Sequence, residues 1–197
     1  MRTPNTSSTN KNKNLDQSWK RFVEGEDKYF KQIYIHYYEV LFGYGYKLCS
    51  NQCLVRDTIQ DLLKSIWENR NNLSHIQSAN VYLFVSLRRA LLRSVKKGRA
   101  VTSIDDDYEF SDIEFCIEEI QIKNECKAEI KALVQKALNE LTSRQKEIVI
   151  LFYFNGMSYG EIEEILGINR QSVRNHMHRA ITNLRDYLEP EKFKLVI

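Results

Sequence analysis

Residues 158–184, SYGEIEEILGINRQSVRNHMHRAITNL, constrain the fold more than any other stretch of this chain. Ser158 and Glu161 have the spacing of a capping box, so a helix starts there. Tyr159, Ile162, Ile165 and Leu166 recur at helical intervals and form its buried side. Gly167 ends the helix, because a sharp turn after a helix favours the residue without a Cβ. Asn169 then serves as N-cap for a second helix, whose apolar residues Val173, Met177, Ala180, Ile181 and Leu184 fall on one stripe. The opposite face carries Gln171, Ser172, Asn175, Arg179 and Thr182, with Arg174 and His178 at its edge. The spacing predicts a helix-turn-helix whose second helix suits the DNA major groove.

Two amphipathic helices either side of a glycine also occur in ordinary helical bundles, where the polar face is simply solvated. The composition of this face argues against that reading. No Asp or Glu lies between Arg170 and Arg185. Gln, Asn and Arg are the side chains that read base edges through paired hydrogen bonds, whereas a merely solvated face would draw on Glu and Lys.

In 197 residues there are seven Gly and two Pro, which with abundant Leu, Ile, Lys, Arg and Glu predicts an all-α protein of one domain or two small ones. A net charge of +3 says little about partners, but its distribution says more. Six bases (Arg88, Arg89, Arg93, Lys96, Lys97, Arg99) and no acid lie between Ser86 and Ile104, and eight acids and no base between Asp105 and Glu119. Cys49 and Cys53 lie four apart, with no second pair at ligand spacing, so small buried thiols are expected rather than a metal site. The N-terminus lacks the apolar core of a secretory signal and no run reaches membrane-spanning length, which predicts a cytoplasmic protein with reduced thiols. Phosphate-binding glycine loops, nucleophile elbows and zinc-protease motifs are absent, and the four His are scattered. No catalytic residue, metal or cofactor is expected.

Periodicity divides the rest. Residues 1–18, rich in Asn, Thr, Ser and Lys at their start, read as a disordered tail. Residues 19–99 read as a helical domain. Its first helix, near 26–49, is crowded with aromatics that serve as core, with a few Tyr hydroxyls at the rim. The next, near 54–69, sets Val55, Ile59, Leu62, Leu63 and Ile66 on one face and Asp57, Gln60, Asp61 and Lys64 on the other. An Asn-rich loop follows, and then a helix over 81–97 with bases on its outer side. Residues 100–118 read as an acidic linker. Residues 119–190 read as a second domain of four helices, one of them opened by a capping box at Thr142 and Gln145 and running to Phe154.

With these segments placed, LTSRQKEIVILFYFNGMSYGEIEEILGINRQSVRNHMHRAITNLR resembles region 4 of sigma-70-like initiation factors. DTIQDLLKSIWENR resembles their regions 2.2 and 2.3, and YLFVSLRRALLRSVKKGR their region 2.4. The order and spacing, with no region 3 between, resemble the extracytoplasmic-function (ECF) group. The chain departs from the family at Arg88-Arg89, where Asn next to Arg is usual, and LRSVKK lacks an Asp that many members carry.

The resemblance implies promoter-specific initiation by RNA polymerase, with the polymerase core supplying the catalysis. It implies that Asp57, Gln60, Asp61 and Lys64 dock on the β′ clamp helices, with the β flap as a second contact. It assigns −10 DNA to Asn71, Asn72, Ser74 and His75 of the loop and to Arg88, Arg89, Arg93, Lys96 and Lys97 of the basic helix. It assigns −35 DNA to Arg170, Gln171, Ser172, Arg174, Asn175, His178 and Arg179. An anti-sigma factor is a further expected partner, and no small-molecule substrate is. The residues alone leave a second reading open: a helix-turn-helix regulator with an N-terminal helical sensor or dimerisation domain, which would bind paired half-sites as a dimer.

Overall fold

A computed structural model describes residues 6–97 and 125–192. The described residues form helices and connecting turns, in the order α1 (Thr6–Val23), α2 (Lys28–Cys49), α3 (Gln52–Glu68), a 3-10 turn (Arg70–Asn72), α4 (Ala79–Lys97), α5 (Glu125–Asn139), α6 (Ser143–Val149), a π turn (Ile150–Phe154), α7 (Tyr159–Leu166) and α8 (Arg170–Lys192). The acidic segment 100–118 lies outside the described residues.

The expectation of a disordered tail over 1–18 fails from Thr6 onward, because α1 begins there. Leu15, Ser18, Trp19 and Phe22 recur at helical intervals and are buried. The Trp19 ring lies 6.4 Å from Phe22 and 5.8 Å from Tyr82 of α4. Ser18 donates to Gln32 on α2 at 3.0 Å. Burial holds the Asp16 carboxyl above its ordinary value, opposed in part by a hydrogen bond from the Ala79 amide at the start of α4. Polar composition at the start of α1 hid the few apolar residues that anchor it.

The α2 aromatics divide by face. Tyr37 and Tyr44 join Ile33, Leu41 and Leu48 in the core. Tyr34, Tyr38, Phe42 and Tyr46, each one turn further on, stack along the outside with centroids 5.5, 6.5 and 6.3 Å apart. Where α2 crosses its neighbours there is no room for a side chain: a Cβ on Gly45 would come within 2.9 Å of Val55 and 3.1 Å of Leu91. Phe84, Leu87 and Leu91 of α4 are fully buried, as their spacing predicts, and Leu83 is buried beside them.

Helices α1 to α4 pack on one another, and α6, α7 and α8 form a second group with α5 laid on α8. The groups meet where α7 packs on α4, so the apolar core runs continuously from Leu15 to Ala180. Thr142 and Gln145 complete the expected capping box at the start of α6. This helix does not continue as an α-helix to Phe154. It widens into a π turn closed by the Asn155 amide donating to the Ile150 carbonyl at 3.1 Å. The wider turn buries Ile150 and Leu151 and leaves Tyr153 and Phe154 exposed.

Leu15 tests the membership of α1 in the fold. Leu15→Ala should lower unfolding free energy by about 2 kcal/mol, the low end for a buried leucine. Gln17→Ala, on the exposed side, should cost less than about 0.5 kcal/mol. Urea unfolding of both variants measures this, and equal stabilities would place Leu15 outside the core.

Candidate functional site

Local chemistry fixes the helix-turn-helix. Ser158 Oγ accepts from the Glu161 amide at 3.3 Å, and Glu161 Oε2 accepts from the Ser158 amide at 2.7 Å. Each group satisfies an amide that the first turn of α7 would otherwise leave unpaired. Gly167 closes α7 at φ 67°, a left-handed conformation that a Cβ would strain. Asn169 Oδ1 accepts from the Ser172 amide at 2.8 Å and starts α8. Val173, Met177 and Ala180 are buried, while Ile181 and Leu184 pack at the edge of the core. Tyr159 is only half-buried and stacks on Phe152 at 5.1 Å.

With the apolar stripe turned inward, Arg170, Gln171, Arg174, Asn175, His178 and Arg179 are exposed together and Ser172 is half-exposed. Gln171 Nε2 donates to Asn175 Oδ1 at 3.0 Å, so the two amides already lie side by side. A groove of about 640 Å³ runs along this helix, lined on one side by Arg170, Arg174, Asn175 and His178 and on the other by Phe152 and Tyr153. The sequence reading passed over His176, which is half-buried. Burial holds its pKa below the usual value, and Arg144 and Arg179 add to the shift.

On α3, Asp57, Gln60, Asp61 and Lys64 are all exposed, opposite the buried Val55, Ile59, Leu63 and Ile66. Lys64 forms a loose ion pair with Glu68 at 3.9 Å, one turn on. Arg56 of the same helix stands over the Phe42 ring, bringing the aromatic stack of α2 beside this stripe. Cys53 is exposed and Cys49 half-buried, so the expectation of two buried thiols holds for neither in full. Among the described residues no group of His, Cys, Asp or Glu could hold a metal ion, and no helix is long and apolar enough to cross a membrane.

Asn71, Asn72, Ser74 and His75 are exposed on and after the 3-10 turn. Trp67 is 41% exposed, against Phe22 at 5.9 Å and Phe30 at 5.0 Å. Arg89 and Arg93 are exposed on α4, and at about 1.5 Å per residue Arg89 lies some ~15 Å along the helix from Ala79. The side chains of Lys96 and Lys97 lie outside the described residues.

Arg88 differs from the expectation of a solvent-facing base. It is 5% exposed, and its Nε and Nη2 donate to Glu147 of α6 at 2.9 and 3.4 Å. Glu147 is fully buried and also accepts from the Tyr44 hydroxyl at 2.6 Å. The outward helical face assigned to Arg88 is here covered by the second helical group. Sequence reasoning passed over Glu147, whose one signal is an acid next to the apolar run IVILF.

Asn169 tests how α8 is held. Asn169→Ala should cost about 1 kcal/mol by removing the cap. A thermal unfolding midpoint equal to that of the parent chain would show that the cap does not hold α8.

Comparison with known proteins extends the resemblance along the chain. Residues 131–184 match the family described as Sigma-70, region 4. The "ECF RNA polymerase sigma factor SigK" of Mycobacterium ulcerans is 18% identical over 176 residues, 89% of this chain and 94% of its own length. The "RNA polymerase sigma factor SigV" of Bacillus subtilis is 26% identical over 157 residues, 79% of this chain and 86% of its own. Two solved structures share the fold. CnrH in complex with the cytosolic domain of CnrY has a TM-score of 0.57 at 17% identity and covers 89% of this chain and 97% of its own. The sigma factor RpoE with the anti-sigma factor NepR, from Bartonella quintana, has a TM-score of 0.55 at 23% identity and covers 81% and 96%. Over most of its length the chain is thus similar to sigma-70-like initiation factors of the ECF group, and residues 131–184 are the part that matches the region 4 family.

Proposed function

We propose that this chain binds the core of RNA polymerase in the cytoplasm and directs it to promoters through two DNA contacts. The observation that carries the proposal is the exposed, acid-free face of α8 from Arg170 to Arg179, on a helix-turn-helix within the region 4 match. Residues 19–99 act as region 2, residues 119–190 as region 4, and the acidic segment 100–118 joins them.

In this reading Gln171, Asn175 and Arg179 meet base edges of the −35 element, while Arg170, Arg174 and their polar neighbours Ser172 and His178 hold phosphates. Asn71, Asn72, Ser74 and His75 receive a base of the melted −10 strand. Extruding that base costs a few kcal/mol, which the loop offsets with hydrogen bonds. Arg88, Arg89, Arg93, Lys96 and Lys97 supply phosphate contacts, which strengthen binding without selecting sequence. Asp57, Gln60, Asp61 and Lys64 dock on the β′ clamp helices, and region 4 meets the β flap. The two solved relatives are complexes, one with an anti-sigma factor, which supports such a factor as a further partner.

Two experiments test the proposal. Asp61→Arg should weaken binding to polymerase core by about tenfold or more, roughly 1.4 kcal/mol. Its thermal stability should stay within about 0.5 kcal/mol of the parent, because the site is exposed opposite the apolar face. Undiminished co-purification with core would refute the docking stripe.

For α8, Gln171→Ala, Asn175→Ala and Arg179→Ala should each cost about 1–3 kcal/mol at the cognate promoter and relax preference at one or two positions. Arg174→Ala should weaken binding evenly across sequences and reduce its salt dependence. Transcription from templates with a randomised −35 hexamer reads both effects. A triple variant at Gln171, Asn175 and Arg179 with unchanged hexamer preference would mean that another face reads the DNA.

A further inference from the structure

We propose that Glu147 is a latch: it holds the two helical groups of the free chain together and, by occupying Arg88, withholds that residue from nucleic acid. The second half of the proposal rests on the reading of Arg88 as a −10 DNA contact.

The geometry is that of a decoy. Arg88 Nε and Nη2 engage the two oxygens of one carboxylate, at 2.9 Å to Oε1 and 3.4 Å to Oε2. This fork-to-fork pairing is also how a guanidinium grips a phosphate. Glu147 thus stands where a backbone phosphate would. Tyr44 of α2 fastens the same carboxylate at 2.6 Å, and Arg144 of α6 lies 3.9 Å from its second oxygen. The partners come from far apart in sequence, with separations of 59 residues to Arg88 and 103 to Tyr44. A buried Asn80 amide donates to Met157 Sδ at 3.2 Å across the same junction of α4 with the second group. Arg89 and Arg93, on the same helix, remain exposed. Closure therefore removes one member of the basic set and leaves its neighbours in water.

The chemistry of the contact suits release better than permanence. An apolar contact of equal size would resist opening, because separation exposes oil to water. A buried ion pair gains little net free energy over its separated, hydrated ions, since desolvation offsets most of the attraction. Opening lets both charges recover water, so a competing polyanion or a partner for region 4 can shift the balance. Replacing Glu147 by a neutral residue takes this carboxylate from the buried Arg88 guanidinium, and the closed form then loses its advantage.

The test uses the full chain, with small-angle scattering for shape and a fluorescein-labelled single-stranded DNA of mixed sequence for binding. Glu147→Gln should enlarge the radius of gyration and tighten DNA binding by about tenfold, the gain expected if roughly nine chains in ten are closed. Arg88→Met combined with Glu147→Leu replaces the pair by packed apolar groups and should restore the compact shape with weak DNA binding. Should Glu147→Gln lose helical circular dichroism, Tyr44→Phe, which keeps the ring and drops one hydrogen bond to the carboxylate, should give a smaller shift in the same direction. A compact Glu147→Gln chain with unchanged DNA affinity would overturn the latch, as would an unfolded Glu147→Gln chain beside an unaltered Tyr44→Phe. Expansion without tighter DNA binding would overturn the withholding of Arg88 and place the fault in its promoter role.

Discussion

Glu147 has no access to solvent, and a carboxylate in that position must find its partners within the protein. Two of them lie on the other helical group, the Arg88 guanidinium from α4 and the Tyr44 hydroxyl from α2, and Arg144 of its own helix stands 3.9 Å away. This one carboxylate thus ties α6 to both α4 and α2. Removing one partner from a buried pair of this kind costs about 3–5 kcal/mol, comparable with the whole stability of a small domain. The surrounding packing of α7 on α4 supplies area, and the ion pair fixes which residues face each other.

A second level of order is local. The capping boxes at Thr142 and Ser158, the left-handed Gly167 and the Asn169 cap each satisfy backbone groups at a helix end within a few residues of sequence. Those at Ser158, Gly167 and Asn169 shape α7, its end and the start of α8 by short-range contacts. In the proposed reading one buried contact governs access, while local caps govern the geometry of the recognition helix.

The parts legible in the sequence were those with a short period or a short-range rule. The α3 stripe, the α4 core and the whole helix-turn-helix follow from residues three or four apart and from caps with fixed spacing. What was missed depended on distant partners. The start of α1 looked like a tail because only Leu15 precedes Trp19 as an anchor, and their value comes from α2 and α4. Arg88 looked like a surface base because its carboxylate partner, Glu147 on α6, lies 59 residues away in sequence. The π turn at Ile150–Phe154 has no spacing rule, and it decides that Tyr153 is exposed. Asn169 was legible as a cap and Glu147 was not legible as a partner, for the same reason of range.

As proposed, this chain is an initiation subunit whose DNA contacts become effective on polymerase. The most direct measurement adds the purified chain to bacterial core polymerase on a library of genomic fragments and maps the 5′ ends of the transcripts. Starts that appear only with the chain, all downstream of one shared asymmetric pair of elements spaced as −35 and −10, are the expected result. Chain-independent starts, together with dimeric protection of a paired half-site by the chain alone, would contradict the account.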